Sequence, residues 1–374
     1  MKSVLEYMEA HRQEAFDLLV ELAQIPAPSH QEEKRAQFCK NWLEQQGAEG
    51  VYIDEALNVI YPIGCDRGKP IAVFAAHSDV VFPDTEKLPL HIEDDWIYCP
   101  GVGDDTGNVV ALLMVAKYIA QHKLKSSNWG ILLVVNSGEE GLGNLKGCRK
   151  LFEDYAGRVQ EFVTFDLGAS RLYDRAVGSR RFSIGVKTQG GHSLNDFGRP
   201  NAIACLAEII NSLYQVQVPA KGRTTYNVGT ISGGTSVNTI AQDARMLYEF
   251  RSDERESLQI MQENLDRILT LYREKGMEIT CETVGDRPCS GDVDQVALKN
   301  LADRAAAAAK QWFGEEPVRL AASTDCNIPL SLGIPAICIG CLQGEGEHTR
   351  EERVRISSLL PGLKLCAQMV LYHF

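Results

Sequence analysis

Five short stretches of this chain carry side chains able to hold a divalent metal ion. His77-Ser78-Asp79 follows the apolar run Ile71–Ala76. Asp104-Asp105 lies in the glycine-rich turn Gly101-Val102-Gly103-Asp104-Asp105-Thr106-Gly107, just before a helical pattern. Glu139-Glu140 follows the apolar run Ile131–Asn136, Asp166 closes the run Phe162–Asp166, and His348 sits in the loop Gly344–Thr349. Taken singly, each is unremarkable: His-x-Asp arises by chance, and adjacent carboxylates usually sit on solvated surface. Their shared placement carries the argument, because ligand sites of open α/β sheets form at the carboxyl ends of strands. Two imidazoles with several carboxylates suit zinc, manganese or cobalt better than magnesium. The carboxylates flanking the turn at Asp104 would repel a phosphate, so this is no phosphate cradle.

The elements that must position these residues follow from hydrophobic periodicity. Leu5, Met8, Phe16, Leu19 and Leu22 fall near a 3.6-residue period and predict an opening helix, ended by Pro26 and Pro28. Ser29-His30-Gln31-Glu32 reads as a capping box starting a second helix that stops near Gly47. The runs Ile71–Ala76, Ile131–Asn136 and Phe162–Asp166 read as strands buried on both faces, with a helix over Asn108–Gln121. Near Arg180 the texture changes to period-two alternation, as in Phe182–Lys187. A helix (Ala202–Tyr214), strands (Thr225–Ile231, Ala244–Arg251), a long helix (Ser257–Lys275) and Glu278–Thr283 follow. That β-α-β-β-α-β order is the split unit of a ferredoxin-like domain. A helix (Gln295–Trp312), an apolar strand (Ala336–Ile339) and a closing helix come after it. The expected fold is therefore α/β: a discontinuous domain with a sheet layered by helices (1–178 and 288–374), interrupted by an α+β lid at 179–287.

Composition narrows the partners. Among 374 residues, 38 are basic and 50 acidic, a formal charge of −12 that argues against nucleic acid or an anionic membrane as partner. The N-terminal stretch lacks the apolar run of a signal peptide, and the apolar stretches are too short to span a bilayer, so a cytoplasmic protein is expected. Eleven scattered cysteines fit structural thiols better than a disulfide scaffold or a four-thiolate site. Cys338 and Cys341 have no second close pair to complete such a site.

The chain resembles the co-catalytic zinc peptidases and deacylases that include peptidase T, carnosinase, glutamate carboxypeptidase, acetylornithine deacetylase and aminoacylase. The resemblance covers essentially the whole length. It is carried by Ala76-His77-Ser78-Asp79-Val80-Val81, Gly103-Asp104-Asp105-Thr106-Gly107, Ser137-Gly138-Glu139-Glu140-Gly141, Asp166-Leu167-Gly168, Gly191-His192-Ser193 and Glu347-His348-Thr349, in the expected order. It implies a mixed sheet and two divalent ions, zinc first, manganese or cobalt as alternatives. Asp104 would bridge them, with His77 and Asp166 on one and Glu140 and His348 on the other. Asp79 would orient the His77 ring, and Glu139 would act as general base. His192, in the lid, would donate to the substrate oxyanion, with Asn238 and Arg251 gripping substrate and Arg251 suiting a carboxylate.

The implied reaction is hydrolysis of an amide in a small peptide, as by a di- or tripeptidase or other exopeptidase such as an aminopeptidase. The rival is an N-acyl amino acid deacylase, and a more distant one a silent metal- or peptide-binding protein. Pairing of two copies through the lid is a further implication. Thr106 stands where relatives often carry lysine, the loop Ala321–Asp325 is poorer in glycine than theirs, and Glu345 and Glu347 make the His348 loop unusually acidic.

Overall fold

Continuous apolar segments need cover on both faces, and the chain supplies it by laying helices over a central sheet. In the computed structural model, which describes residues 2–66, 68–126 and 128–374, the chain divides into two compact units. One is Met1–Ala176 with Gly291–Phe374, and the other is Val177–Ser290.

The first unit is built on an eight-stranded mixed sheet. Across it run Tyr52–Ile53, Val59–Ile63, Gly130–Asn136, Ile71–His77, Val159–Thr164, Ala336–Ile339, Arg171–Ala176 and Val318–Ala322. Ile71–His77 lies parallel to both of its neighbours, Gly130–Asn136 and Val159–Thr164. All seven residues of each of the strands Ile71–His77 and Gly130–Asn136 are buried. The helix Gly107–Gln121 packs against the sheet and against the closing helix Leu359–Val370, which also meets Gln295–Phe313. A small antiparallel sheet orders Gly344–Glu345, Arg353–Arg355, Trp96–Tyr98 and His91–Glu93.

The second unit is a four-stranded antiparallel sheet in the order Thr224–Gly233, Asp243–Ser252, Gly178–Lys187, Glu278–Arg287. Numbered along the chain, that order is second, third, first, fourth, the arrangement of a split β-α-β unit. Its helices Ala202–Leu213 and Arg255–Glu274 bury Leu206, Ile209, Met261 and Leu265 against Ile184, Met246 and Phe250. Asn201 caps the first helix by accepting from the backbone N–H groups of Ile203 and Ala204.

Three expectations are corrected. The opening helix is two helices, Lys2–Ala10 and Arg12–Ala23, because His11 leaves helical geometry with φ −105° and ψ 15°. The capping box does not form. The helix starts at Glu33, Ser29 donates instead to Asp79, and buried Glu32 accepts from the His30 N–H and from Lys146. The strand expected to end on Asp166 stops at Thr164, so Asp166 lies in the loop beyond it. All eleven cysteines are free thiols, nine of them buried.

Candidate metal centre

The register of the central sheet sets the site. His77 pairs with Asn136 at the ends of neighbouring parallel strands, so Asp79 and Glu139-Glu140 emerge side by side from the same edge. Asp166 follows the strand on the other side of His77. Asp104 comes from the turn before Gly107–Gln121, where Gly101 takes the left-handed φ of +75° and a Cβ would strike Val80. The turn is closed by the Thr106 hydroxyl, which donates to the Gly101 carbonyl over 2.6 Å. His348 arrives from a late loop with φ +63°.

His77, Asp104, Glu140, Asp166 and His348 converge. Nε2 of His77 lies 2.9 Å from Oδ1 of Asp104, and Nε2 of His348 lies 3.1 Å from Oδ2 of the same carboxylate. Asp166 Oδ1 is 3.7 Å from the His77 nitrogen, and Glu140 Oε1 is 3.2 Å from that of His348. Ligands about 2.0–2.1 Å from a tetrahedral zinc ion stand roughly 3.3 Å apart, inside this range of spacings. Glu140 Oε1 and Asp166 Oδ1 are buried and accept no hydrogen bond. Buried acceptors without donors are costly unless a cation completes them, so this donor set fits a metal.

Hydrogen bonding fixes the ring of His77. Its Nδ1 lies 3.0 Å from the Asp79 carbonyl oxygen, which can only accept, so Nδ1 carries the proton and Nε2 turns a lone pair toward Asp104 and Asp166. The Asp79 carboxylate is farther from that ring, at 3.5 Å. It accepts instead from the backbone N–H groups of Glu139 and Glu140, each at 3.0 Å, and from the Ser29 hydroxyl at 2.7 Å. Asp79 thus aims the adjacent glutamates as well as the imidazole.

The titration of the cluster reflects burial first and the crowding of carboxylates second. Burial pushes the Glu140 carboxyl up to about 8, and it raises Asp166 and Asp105 as well. The adjoining carboxylates of Asp104 and Glu140 lift His348 to about 11. Against the upward push of burial, the His77 ring, the Ser29 hydroxyl and the Glu140 N–H hold Asp79 down to about 2. Protons occupy places that cations would otherwise fill.

Several residues assigned no role from sequence complete the site. Asp105 is fully buried. It accepts from the His77 backbone N–H at 2.7 Å and from Asn108 at 2.6 Å, and with His77 and Asp166 it forms a second group of potential ligands. Asn108 also accepts from the Cys341 N–H at 2.6 Å. The Arg35 guanidinium, wholly buried, donates to the carbonyls of Ser78 (2.9 Å) and Ile25 (2.7 Å). In the loop Ala321–Asp325, Asp325 is buried, accepts from Asn136 at 2.6 Å, and is pushed up to about 8 by burial and by Glu139. Asp105 sits in a motif that the sequence already singles out, whereas Asn108, Arg35 and the Asp325 contact are revealed by three-dimensional proximity.

In the second unit, His192 and Asn238 come together on a two-stranded ribbon, where His192 pairs with Thr239 and the Ser193 N–H donates to the Asn238 carbonyl. Nδ1 of His192 accepts from the N–H groups of Leu194 (3.2 Å) and Asn195 (3.4 Å), leaving Nε2 to carry the proton as a donor. The Arg251 guanidinium donates to Glu249 at 3.0 and 3.1 Å. Glu345 is likewise engaged, by Arg353 at 2.7 Å.

The first unit gathers carboxylates and imidazoles at the strand ends of a mixed sheet, a donor set able to hold divalent metal, and the second unit is a split β-α-β fold. The chain belongs to the peptidase family M20/M25/M40, whose pattern matches residues 73–372. A tripeptidase of Staphylococcus aureus superposes with a TM-score of 0.75 at 22% identity, over 96% of this chain and 97% of the other. Carboxypeptidase G2 of Pseudomonas sp. is 22% identical over 82% of this chain and 74% of its own. A succinyl-diaminopimelate desuccinylase of Nitrosococcus oceani is 26% identical over 54% of this chain and 59% of its own. Measured on their own lengths, three such curated relatives are covered to 38%, 56% and 59%. Among the described residues, no helix is long and apolar enough to cross a membrane.

Proposed function

We propose that this hydrolase cleaves an amide bond of a small peptide, as a dinuclear exopeptidase. The observation that carries the reading is Asp104: its two oxygens each meet a different imidazole, 2.9 Å from His77 and 3.1 Å from His348, as a carboxylate shared by two ions would. Asp104, His77 and Asp166 would hold one ion, and Asp104, Glu140 and His348 the other, with zinc favoured and manganese or cobalt possible alternatives by ligand type. The bound ions would supply Lewis acidity and lower the pKa of the attacking water.

The chain's own residues do the rest. Glu139, buried and held beside Glu140 by the Asp79 carboxylate, takes a proton as the water oxygen attacks the carbonyl carbon. It returns that proton to the departing amine as the C–N bond breaks. His192 donates from Nε2–H to the oxyanion, and Asn238, on the same ribbon, contacts substrate. Arg251 would grip a substrate carboxylate only by exchanging its bonds to Glu249.

The second reading is an N-acyl amino acid deacylase, favoured by the desuccinylase among the relatives. Hydrolysis assays of di- and tripeptides beside acetylated, succinylated and formylated amino acids, each with Zn2+, Mn2+ or Co2+, separate the two. Faster turnover of peptides is expected. Turnover confined to acyl amino acids makes the protein a deacylase, and two bound ions with no hydrolysis of either class defeat both readings. We also propose a cytoplasmic setting, which eleven free thiols suit, and pairing of two copies through Val177–Ser290. A monomer mass by light scattering at micromolar concentration would remove the pairing.

A further inference from the structure

Four residues beyond His348, Glu352 leaves the exposed loop and becomes 99% buried. Its carboxylate reaches into the turn that carries Asp104. Oε2 accepts from the Gly101 N–H at 2.8 Å, while Oε1 accepts from the N–H groups of Gly103 at 2.7 Å and Asp104 at 2.8 Å. Three short bonds to one carboxylate make a backbone nest for an anion, here filled by a side chain some 250 residues away along the chain. The turn is shaped to admit it: a Cβ at Gly103 would stand 3.2 Å from Oε1 and 3.0 Å from Val354.

The other end of the connection is equally definite. From Gly346 to Glu352 the loop is bonded to itself, with the Thr349 N–H and hydroxyl donating to the Gly346 carbonyl and the Glu352 N–H to the Thr349 carbonyl. The Glu352 carbonyl accepts from the Cys99 N–H, where the segment joins the strand Trp96–Tyr98 through Arg353–Arg355. On the outer side, Arg350 forks onto Asp84 at 2.7 and 2.9 Å. Asp104 and His348 come from distant parts of the chain, and His348 is more than half exposed, with little packing of its own to hold it.

We infer that Glu352 is a positioning residue for the metal centre, a buried strut that sets the spacing between Asp104 and His348 by binding the backbone of one ligand's turn from the base of the other's loop. The inference rests on the dinuclear reading proposed above. It makes the ion held by Glu140 and His348 more dependent on Glu352 than the ion held by His77 and Asp166. The latter's ligands other than Asp104 are fixed by strand ends that Glu352 does not touch. Supporting groups around metal ligands commonly change affinity by about 10–100-fold.

The test is titration of metal-free protein with Co2+ followed by visible absorption, together with Zn2+ competition against a chromophoric chelator. Wild-type protein should take up two ions; if it does not, the dinuclear reading fails and not merely this inference. Glu352→Gln keeps the shape but sets an amide N–H2 against at least one backbone N–H. It should weaken one ion at least tenfold, leave the other within about threefold, and change the cobalt spectrum of the doubly loaded protein. Glu352→Asp and Gly103→Ala, which shorten or displace the strut, should give the same ordering and carry the test if the glutamine variant does not fold. Two ions at wild-type affinity, or equal weakening of both, in the folded variants would overturn the inference. A lowered melting temperature alone, with both affinities kept, would make Glu352 a fold residue and overturn it too.

Discussion

At the scale of single residues, the proposed mechanism gives adjacent glutamates different work. Glu140 turns a buried oxygen toward His348 at 3.2 Å, whereas the Glu139 backbone is held by Asp79 beside it. Glu139→Gln should therefore bind metal as the wild type does and lose about 10²–10⁴-fold in kcat, with KM little changed. Steady-state kinetics on protein of verified metal content check this, and near-normal turnover would reassign the base. Asp79→Asn replaces one acceptor of two backbone N–H groups by a donor, disturbing both glutamates. Loss of about 10–100-fold in activity, with weakened metal binding, is the expected result, measured by the same kinetics and by chelator competition. If Arg251 grips substrate as proposed, Arg251→Ala should raise KM with kcat little changed. If it serves only its bonds to Glu249, which Arg181 shares, the variant should lower the melting temperature of the second unit and leave KM unchanged.

The strand-end residues were legible in the sequence because their elements are. The six-residue runs Ile71–Ala76 and Ile131–Asn136 specify buried strands, and the side chains that follow such runs must come out at the sheet edge. What could not be read were contacts set by register and loop path. Asp79 bonding Glu139, Asp105 holding the His77 backbone, and Glu352 entering the Asp104 turn each join segments that are remote along the chain. The capping box at Ser29 misled for a related reason: its hydroxyl found a stronger partner in the buried Asp79 carboxylate than in the helix it was expected to start.

Elements are also joined away from the site. Glu161, on the strand Val159–Thr164, bonds Arg304 on the helix Gln295–Phe313 and His373 at 2.8 Å near the end of the chain. Burial opposes its charge, but His373 and Arg304 outweigh burial and hold its carboxyl below the usual range. A carboxyl depressed in the folded state stabilises it above the unfolded value of about 4.3 and loses that contribution as pH falls through the folded value. Urea denaturation between pH 7 and pH 3 should show wild-type stability falling below about pH 4.5 by more than that of Glu161→Gln. Parallel curves would mean that the cluster is electrostatically silent.

For the whole molecule, the formal charge of −12 is partly a property of one place. Asp79, Asp104, Asp105, Glu139, Glu140 and Asp166 are all buried in the first unit, where two divalent ions would offset about four negative charges. Chelation should therefore loosen that unit selectively. A ligand at a hundred times its Kd contributes about 2.7 kcal/mol, so removal of the ions should lower its melting transition by several degrees. Hydrogen exchange should quicken in segments 101–107, 137–141 and 344–352 on adding chelator and stay unchanged across Val177–Ser290. Uniform loosening of both units would point to a different stabilising role for the metal.

The proposed dinuclear centre bridged by Asp104 is tested most directly by anomalous scattering from crystals grown with Zn2+ and measured at the zinc edge. Two peaks about 3.5–4 Å apart are expected, one beside His77 and Asp166 and the other beside Glu140 and His348, with the Asp104 carboxylate between them. A single peak, or two peaks that do not share Asp104, would contradict it.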